Sequence, residues 1–197
     1  MKLSLIQPVL FLDFDDVLCL NKPFGGYDAI AAIGRAEKEP GVSLDDAEFE
    51  DLWVSLFDAG AKGYLLALHN EFSPSYVLST SWRNFMNRPA LVAILRRTGF
   101  GFVAENLHQN WGTPIGLGYQ DRPREISNWL GKNAAHEGRW VTLDDERSGA
   151  GFVDWPISKH KPFIVICREN VGLTAVEYEK LRVAFRLRIC AGKSDHD

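Results

Sequence analysis

Between residues 9 and 20 the chain reads VLFLDFDDVLCL: an apolar run, then Asp13, Asp15 and Asp16, then apolar residues again. Neighbouring carboxylates at the end of a hydrophobic run repel one another and resist losing water. They are costly unless a cation or a reaction employs them. Two similar endings follow, with Ser79, Thr80 and Ser81 closing YVLSTSW and Asp144 and Asp145 closing WVTLDDE. A carboxylate can attack phosphorus and form an acyl phosphate, which divides hydrolysis into two easier steps. A second carboxyl two residues on can protonate the leaving oxygen and then activate water. Magnesium on hard oxygen ligands screens such anions, and a hydroxyl with a cationic side chain completes a phosphate clamp.

These groups act together only if strand ends bring them together. VLFLDF (9–14) is continuous enough in apolar residues for a central parallel strand covered on both faces, SYVLST (75–80) reads as a second buried strand, and RWVTLDDE (139–146) and PFIVIC (162–167) read as a third and a fourth strand. Helical spacing fills the intervals. From Leu44 to about Glu71 it places Phe49, Leu52, Trp53 and Leu56 on one face. Further helices are expected over 87–100, stopping at Gly99, and over 122–133, with Pro123 near the first turn. LTAVEYEKLRVAFRLR is a closing helix with Thr174 and Glu177 as its capping box, and NKPFGGYD (21–28) reads as a loop.

Strands alternating with helices predict an α/β fold, a Rossmann-like doubly wound parallel sheet. The expected organisation is one domain over 1–192 with a small helical insertion after the first strand, at about 19–73. A disordered tail, 193–197, is expected to follow. Ligands of such sheets bind outside the C-terminal ends of the strands, which is where all three polar clusters fall. Residues two apart on a strand point the same way, so Asp13 and Asp15 can share a site while Phe14 packs behind it.

The three runs, in this order, resemble the haloacid dehalogenase-like (HAD) hydrolases, whose motifs are an apolar strand ending in DxDx[TV], one ending in Ser or Thr, and one ending in paired aspartates. VLSTSWR, GTPIGLGYQDRPREISNWL, VTLDDE and VICRENVGLT further resemble the HAD domain associated with Swiss Army Knife RNA repair proteins. Arg122, three residues before Glu125 and four before Ile126, fits the R-x-x-E-I helix start of that group.

The resemblance implies that Asp13 is the nucleophile and Asp15 the general acid and base. Mg2+ would be held by Asp13, the Asp15 backbone carbonyl and Asp145 or Asp144. Thr80 would bind the phosphoryl group, with Ser79 and Ser81 as register alternatives and Arg83 as a further candidate. The lysine usual in the third motif is missing, so Arg122 takes its place, with Arg124 behind it. Retention of Asp15 favours phosphate monoester hydrolysis over dehalogenation. The implied activity is magnesium-dependent hydrolysis through an aspartyl-phosphate, on a phosphorylated small molecule, a nucleotide or a nucleic-acid end. The alternative is a weakly active or inactive module that binds a phosphorylated partner.

Composition sets the remaining bounds. A net charge of -4 over 197 residues provides no global basic field. Three cysteines without CxxC spacing, and five histidines without HxxxH pairing, predict neither a disulfide framework nor a zinc site. No apolar run approaches the roughly 20 residues of a membrane span. Gln7, Pro8 and the carboxylates break the N-terminal run, so a cytoplasmic protein is expected. Trp53 and Trp129 are expected in the core and Asp16 as a solvated loop residue, while Trp82 and Trp111 are the two tryptophans kept as candidate substrate contacts beside a core role.

Overall fold

The computed structural model describes residues 7–20, 22, 25–41, 47–116, 121–153 and 158–191. Strands β1 (Val9–Leu12), β2 (Ser75–Leu78), β3 (Leu107–Gly112), β4 (Trp140–Asp145) and β5 (Ile164–Cys167) form one sheet in the order β3-β2-β1-β4-β5. All pairings are parallel. The chain winds outward one way through β2 and β3, then returns to the other side of β1 for β4 and β5. Strand order therefore reverses between β1 and β4, where a crevice opens at the carboxyl ends.

The strand residues of β1, β2 and β4 are buried on both faces, as their apolar runs require. Leu10, Leu12, Tyr76, Leu78, Val141 and Leu143 join the core on one face. That layer contains Leu65 and Leu68 of α3 (Ala59–Phe72), Leu91 and Leu95 of α4 (Arg88–Arg97), and Leu181 and Phe185 of α7 (Ala175–Ala191). Val9, Phe11, Val77 and Trp140 face the other side, against Ile126 and Trp129 of α6 (Arg122–Lys132). Phe11 meets the Trp129 ring edge-on at 5.2 Å, a contact that adds about 0.5–1.5 kcal/mol beyond its buried area.

Three elements depart from the expectation. The helical stretch expected from Leu44 to about Glu71, whose first three residues lie outside the described residues, is two helices from Ala47 on, α2 (Ala47–Leu56) and α3, because Asp58 caps a new start by accepting from the Ala61 N–H at 2.7 Å. The loop expected over 21–28 is overtaken from Gly26 by α1 (Gly26–Lys38), at whose start the Asp28 carboxylate accepts the Gly25 N–H at 2.8 Å, while residues 21, 23 and 24 lie outside the described residues. β3, LHQNWG, is an edge strand with half-exposed and exposed residues and a register shift against β2. It has no apolar run to announce it. A short helix, α5 (Gly101–Glu105), precedes β3. At α7 the capping box forms: the Thr174 N–H donates to Glu177 at 3.4 Å and the Val176 N–H to the Thr174 hydroxyl at 3.2 Å. The expected tail lies outside the described residues.

Candidate active site

The turn after β1 is built from its own backbone. The Asp13 N–H still bonds the Leu143 carbonyl at 3.1 Å, after which the Phe14 carbonyl accepts from Val17, Leu18 and Cys19. Asp16 takes a left-handed conformation, φ 53°, which aspartate tolerates better than most residues. Its carboxylate is not solvated as expected: it is buried and accepts the Asn170 N–H at 2.9 Å. The late GLT element braces the same turn, with the Leu173 N–H on the Val17 carbonyl at 3.0 Å. Gly172, at φ +73°, passes so close that a Cβ would stand 3.2 Å from that carbonyl.

This frame sets Asp13, Asp144 and Asp145 side by side, each buried, with one carboxylate oxygen apiece within 4.8 Å of the others. Arg122 enters from the first turn of α6. Its Nε lies 2.9 Å from Asp144 Oδ2 and its Nη2 3.4 Å from Asp13 Oδ2. Arg124 is on the exposed side of the same helix. Asp145 spends Oδ1 on the Arg147 and Ser148 N–H groups, at 2.6 and 3.0 Å, capping the turn that follows β4. The inner Oδ2 atoms of Asp13 and Asp144 face Arg122, and Asp145 Oδ2 is buried without a hydrogen bond.

One arginine does not balance three buried carboxylates. Burial drives Asp13 well above the usual carboxylate range, opposed by Arg122 and reinforced by Asp144, Asp145 and Asp15. Burial likewise pushes Asp144 up to about 6, again against Arg122. Burial alone would lower Arg122, yet Asp144, Asp13 and Glu125 hold its guanidinium above its ordinary value. The surplus negative charge and three carboxylate oxygens within 4.8 Å of one another make a donor set that suits a hard divalent cation.

Above the cluster is a cavity of about 480 Å³, whose lining includes Asp15, Asp145, Ser81, Arg83, Arg122 and Glu125. Asp15 stands on its wall, with the Trp82 indole N–H 3.1 Å from both carboxylate oxygens and the Ser81 hydroxyl at 3.3 Å. Burial raises the Asp15 carboxyl, and those two donors pull it back. Trp82 is thus fully buried behind an acid instead of facing a substrate, and Trp111 packs partly buried against the core. Trp53 and Trp129 are core residues as expected.

The hydroxyls divide by face. Thr80 is fully buried and its Oγ1 accepts the Trp82 N–H at 3.3 Å. Ser79 follows β2 on the side of Val77, the side that Asp13 shares beyond Phe11, and its Oγ is buried with no partner. Arg83 points into the same region, but three of its edges are taken: Nε by the Thr80 carbonyl at 3.0 Å, Nη1 by the Thr113 carbonyl, and Nη2 by Glu125 at 3.1 Å. Burial lowers Arg83, and Glu125 opposes that shift. Glu125, Thr113 and the Trp82–Asp15 contact were not expected as site features. The signal for Glu125 was its place one helical turn after Arg122.

A doubly wound parallel sheet with DxD at the end of its central strand and paired aspartates on the next is the arrangement of the HAD-like hydrolase domains. Over residues 9–178 the chain matches the family described as the HAD domain in Swiss Army Knife RNA repair proteins, and it belongs to that family. No curated protein and no solved structure gives a significant match. No helix among the described residues is long and apolar enough to cross a membrane.

Proposed function

We propose that the protein is a magnesium-dependent phosphate monoester hydrolase working through an aspartyl-phosphate on Asp13. The observation that carries this reading is the convergence of Asp13, Asp144, Asp145 and Arg122 beneath a cavity whose wall bears Asp15. Magnesium would be held by Asp13, by Asp144 or Asp145, and by the Asp15 carbonyl. Bound there, it screens the carboxylates and polarises the phosphoryl oxygens.

An Asp13 oxygen attacks phosphorus while the ester P–O bond breaks and the leaving oxygen takes its proton from Asp15. The raised Asp15 carboxyl favours that donation. Asp15 then removes a proton from water, which attacks the acyl phosphate and frees both Asp13 and inorganic phosphate. Arg122 grips the phosphoryl oxygens as the clamp in place of the usual lysine. Ser79 is the hydroxyl we favour for the same group, because its Oγ is buried without a hydrogen-bond partner, whereas the Thr80 Oγ1 already accepts the Trp82 N–H. Ser81 serves Asp15, and Arg83 stands behind Arg122. We read α1 and α2 as the small cap: Gly26, Tyr27 and Ile30 of α1 line the cavity and leave room for a nucleotide or a nucleic-acid end. The family's association with RNA repair proteins supports that substrate class.

A second reading, a module that binds a phosphorylated partner with little turnover, is favoured by one observation. Asp13 is 1% exposed and Arg122 spans it and Asp144, so a phosphoryl group reaches Asp13 only if Arg122 shifts. Phosphate release from an aryl phosphate, mononucleotides and 3′- or 5′-phosphorylated oligonucleotides, with and without magnesium, separates the two. Magnesium-dependent release that is lost in Asp13→Asn and Asp15→Asn is the expected result. Phosphate binding with no release from any of them would sink the hydrolase.

A further inference from the structure

Glu125 is bonded to four groups around the cavity and is neither nucleophile, acid nor metal ligand in the proposed reaction. It is 9% exposed, on the first turn of α6. Its Oε2 accepts from Arg83 Nη2 at 3.1 Å, Arg122 Nη1 at 3.1 Å and the Thr113 hydroxyl at 2.9 Å. Its Oε1 accepts the Gly116 N–H at 2.9 Å. One carboxylate therefore joins the turn after β2, the chain leaving β3, and α6. Gly116 makes this approach possible, since a Cβ there would stand 2.9 Å from Oε1.

The requirement follows from what replaced the lysine. An ammonium is a point charge that needs little aiming, whereas a guanidinium is a flat fork aimed by fixing its edges. Arg122 has Nε and Nη2 toward Asp144 and Asp13 and Nη1 on Glu125, so Glu125 fixes the third edge and with it the tilt of the plane. A buried carboxylate on the wall of an anion site opposes anion binding by its charge alone. Two arginines on the same oxygen offset that cost and are drawn to one spot.

We propose that Glu125 is the positioning residue of the phosphate site, orienting Arg122 for a phosphoryl group while it ties Arg83 in place behind it. This rests on the reading of the cavity as a phosphate site, given above.

Charge and position predict opposite signs, which makes the inference testable. Inorganic phosphate is titrated by calorimetry into the full chain as wild type, Glu125→Gln and Glu125→Asp, with magnesium present and circular dichroism as the check on folding. Glu125→Gln removes a negative charge from the cavity and keeps the side-chain size. Glu125→Asp keeps the charge and falls one methylene short. Positioning requires both to weaken phosphate binding, by roughly tenfold or more, because charge-assisted bonds to Arg122 are lost or misdirected. Phosphate binding in Glu125→Gln as tight as wild type or tighter overturns the inference and leaves the phosphate-site reading intact. If that variant does not fold, an unchanged affinity in Glu125→Asp overturns it equally. A wild-type chain that binds no phosphate overturns both.

Discussion

The indole N–H of Trp82 sits 3.1 Å from each carboxylate oxygen of Asp15, across 67 residues of sequence. The indole is fully buried, edge-on to Phe14 and Phe57, so it has one direction in which to donate. It holds the acid in place and lowers a carboxyl that burial raises. Trp82→Phe keeps most of the packing and removes the donor. Turnover is expected to fall by about tenfold, as for the loss of a bond to a charged group, with a much smaller change in KM. Steady-state phosphate release measures it; an unchanged kcat would show that Asp15 does not depend on this donor.

Gly26 opens α1 directly against the same carboxylate. A Cβ there would stand 3.1 Å from Asp15 Oδ1, tighter than an ordinary contact. Alanine is the better helix former by about 1 kcal/mol, so Gly26→Ala is expected to hold or slightly raise thermal stability. Activity is expected to drop several-fold as Asp15 is displaced. Thermal unfolding and phosphate release on one preparation check the opposing signs.

Arg122 supplies the only ion pairs to Asp13 and Asp144 among the described residues. Removing one partner of a buried pair leaves uncompensated charge, at a cost of about 3–5 kcal/mol. Arg122→Gln should therefore lower the unfolding temperature. A divalent cation at the carboxylates would then have more charge to neutralise. Magnesium is expected to raise the unfolding temperature of the variant by more than that of the wild type. A metal titration followed by thermal unfolding tests this, and equal shifts would argue against a cation at these carboxylates.

The strand ends were legible in the sequence because chemistry and burial conflict there: an apolar run ending in carboxylates has few other uses. Asp13, Asp144 and Asp145 converge for that reason, and Arg122 was legible from the missing lysine and the R-x-x-E-I pattern. β3 was not, because an edge strand covered on few sides can be LHQNWG and carry no apolar signature. α1 was hidden by the turn residues before it. For the phosphoryl group the sequence offered three hydroxyls, Thr80 with Ser79 and Ser81 as register alternatives, because it does not show where β2 ends and hence which of them faces Asp13. Glu125 and Trp82 act through contacts made across the fold, between segments that local patterning treats one at a time.

Three histidines set a pH dependence away from the carboxylates. Burial lowers His69 and His108. It also lowers His136, which the nearby His108 and Arg139 lower further. The His108 and His136 rings are 5.0 Å apart, and both lie against Trp129. The Asn110 N–H donates to His108 Nδ1 at 3.0 Å, a bond that needs this nitrogen unprotonated. In each case the folded value lies below the unfolded value of about 6.5, so the unfolded chain takes up protons first. The stability these rings contribute is full above that value and is lost as pH falls from it through the lower folded values. Replacing His108 and His136 together by glutamine removes two of the three. The difference in unfolding temperature, wild type minus double variant, is expected to shrink between pH 8 and pH 5. A difference that stays constant over that range would show that neither ring is protonated preferentially in the unfolded chain.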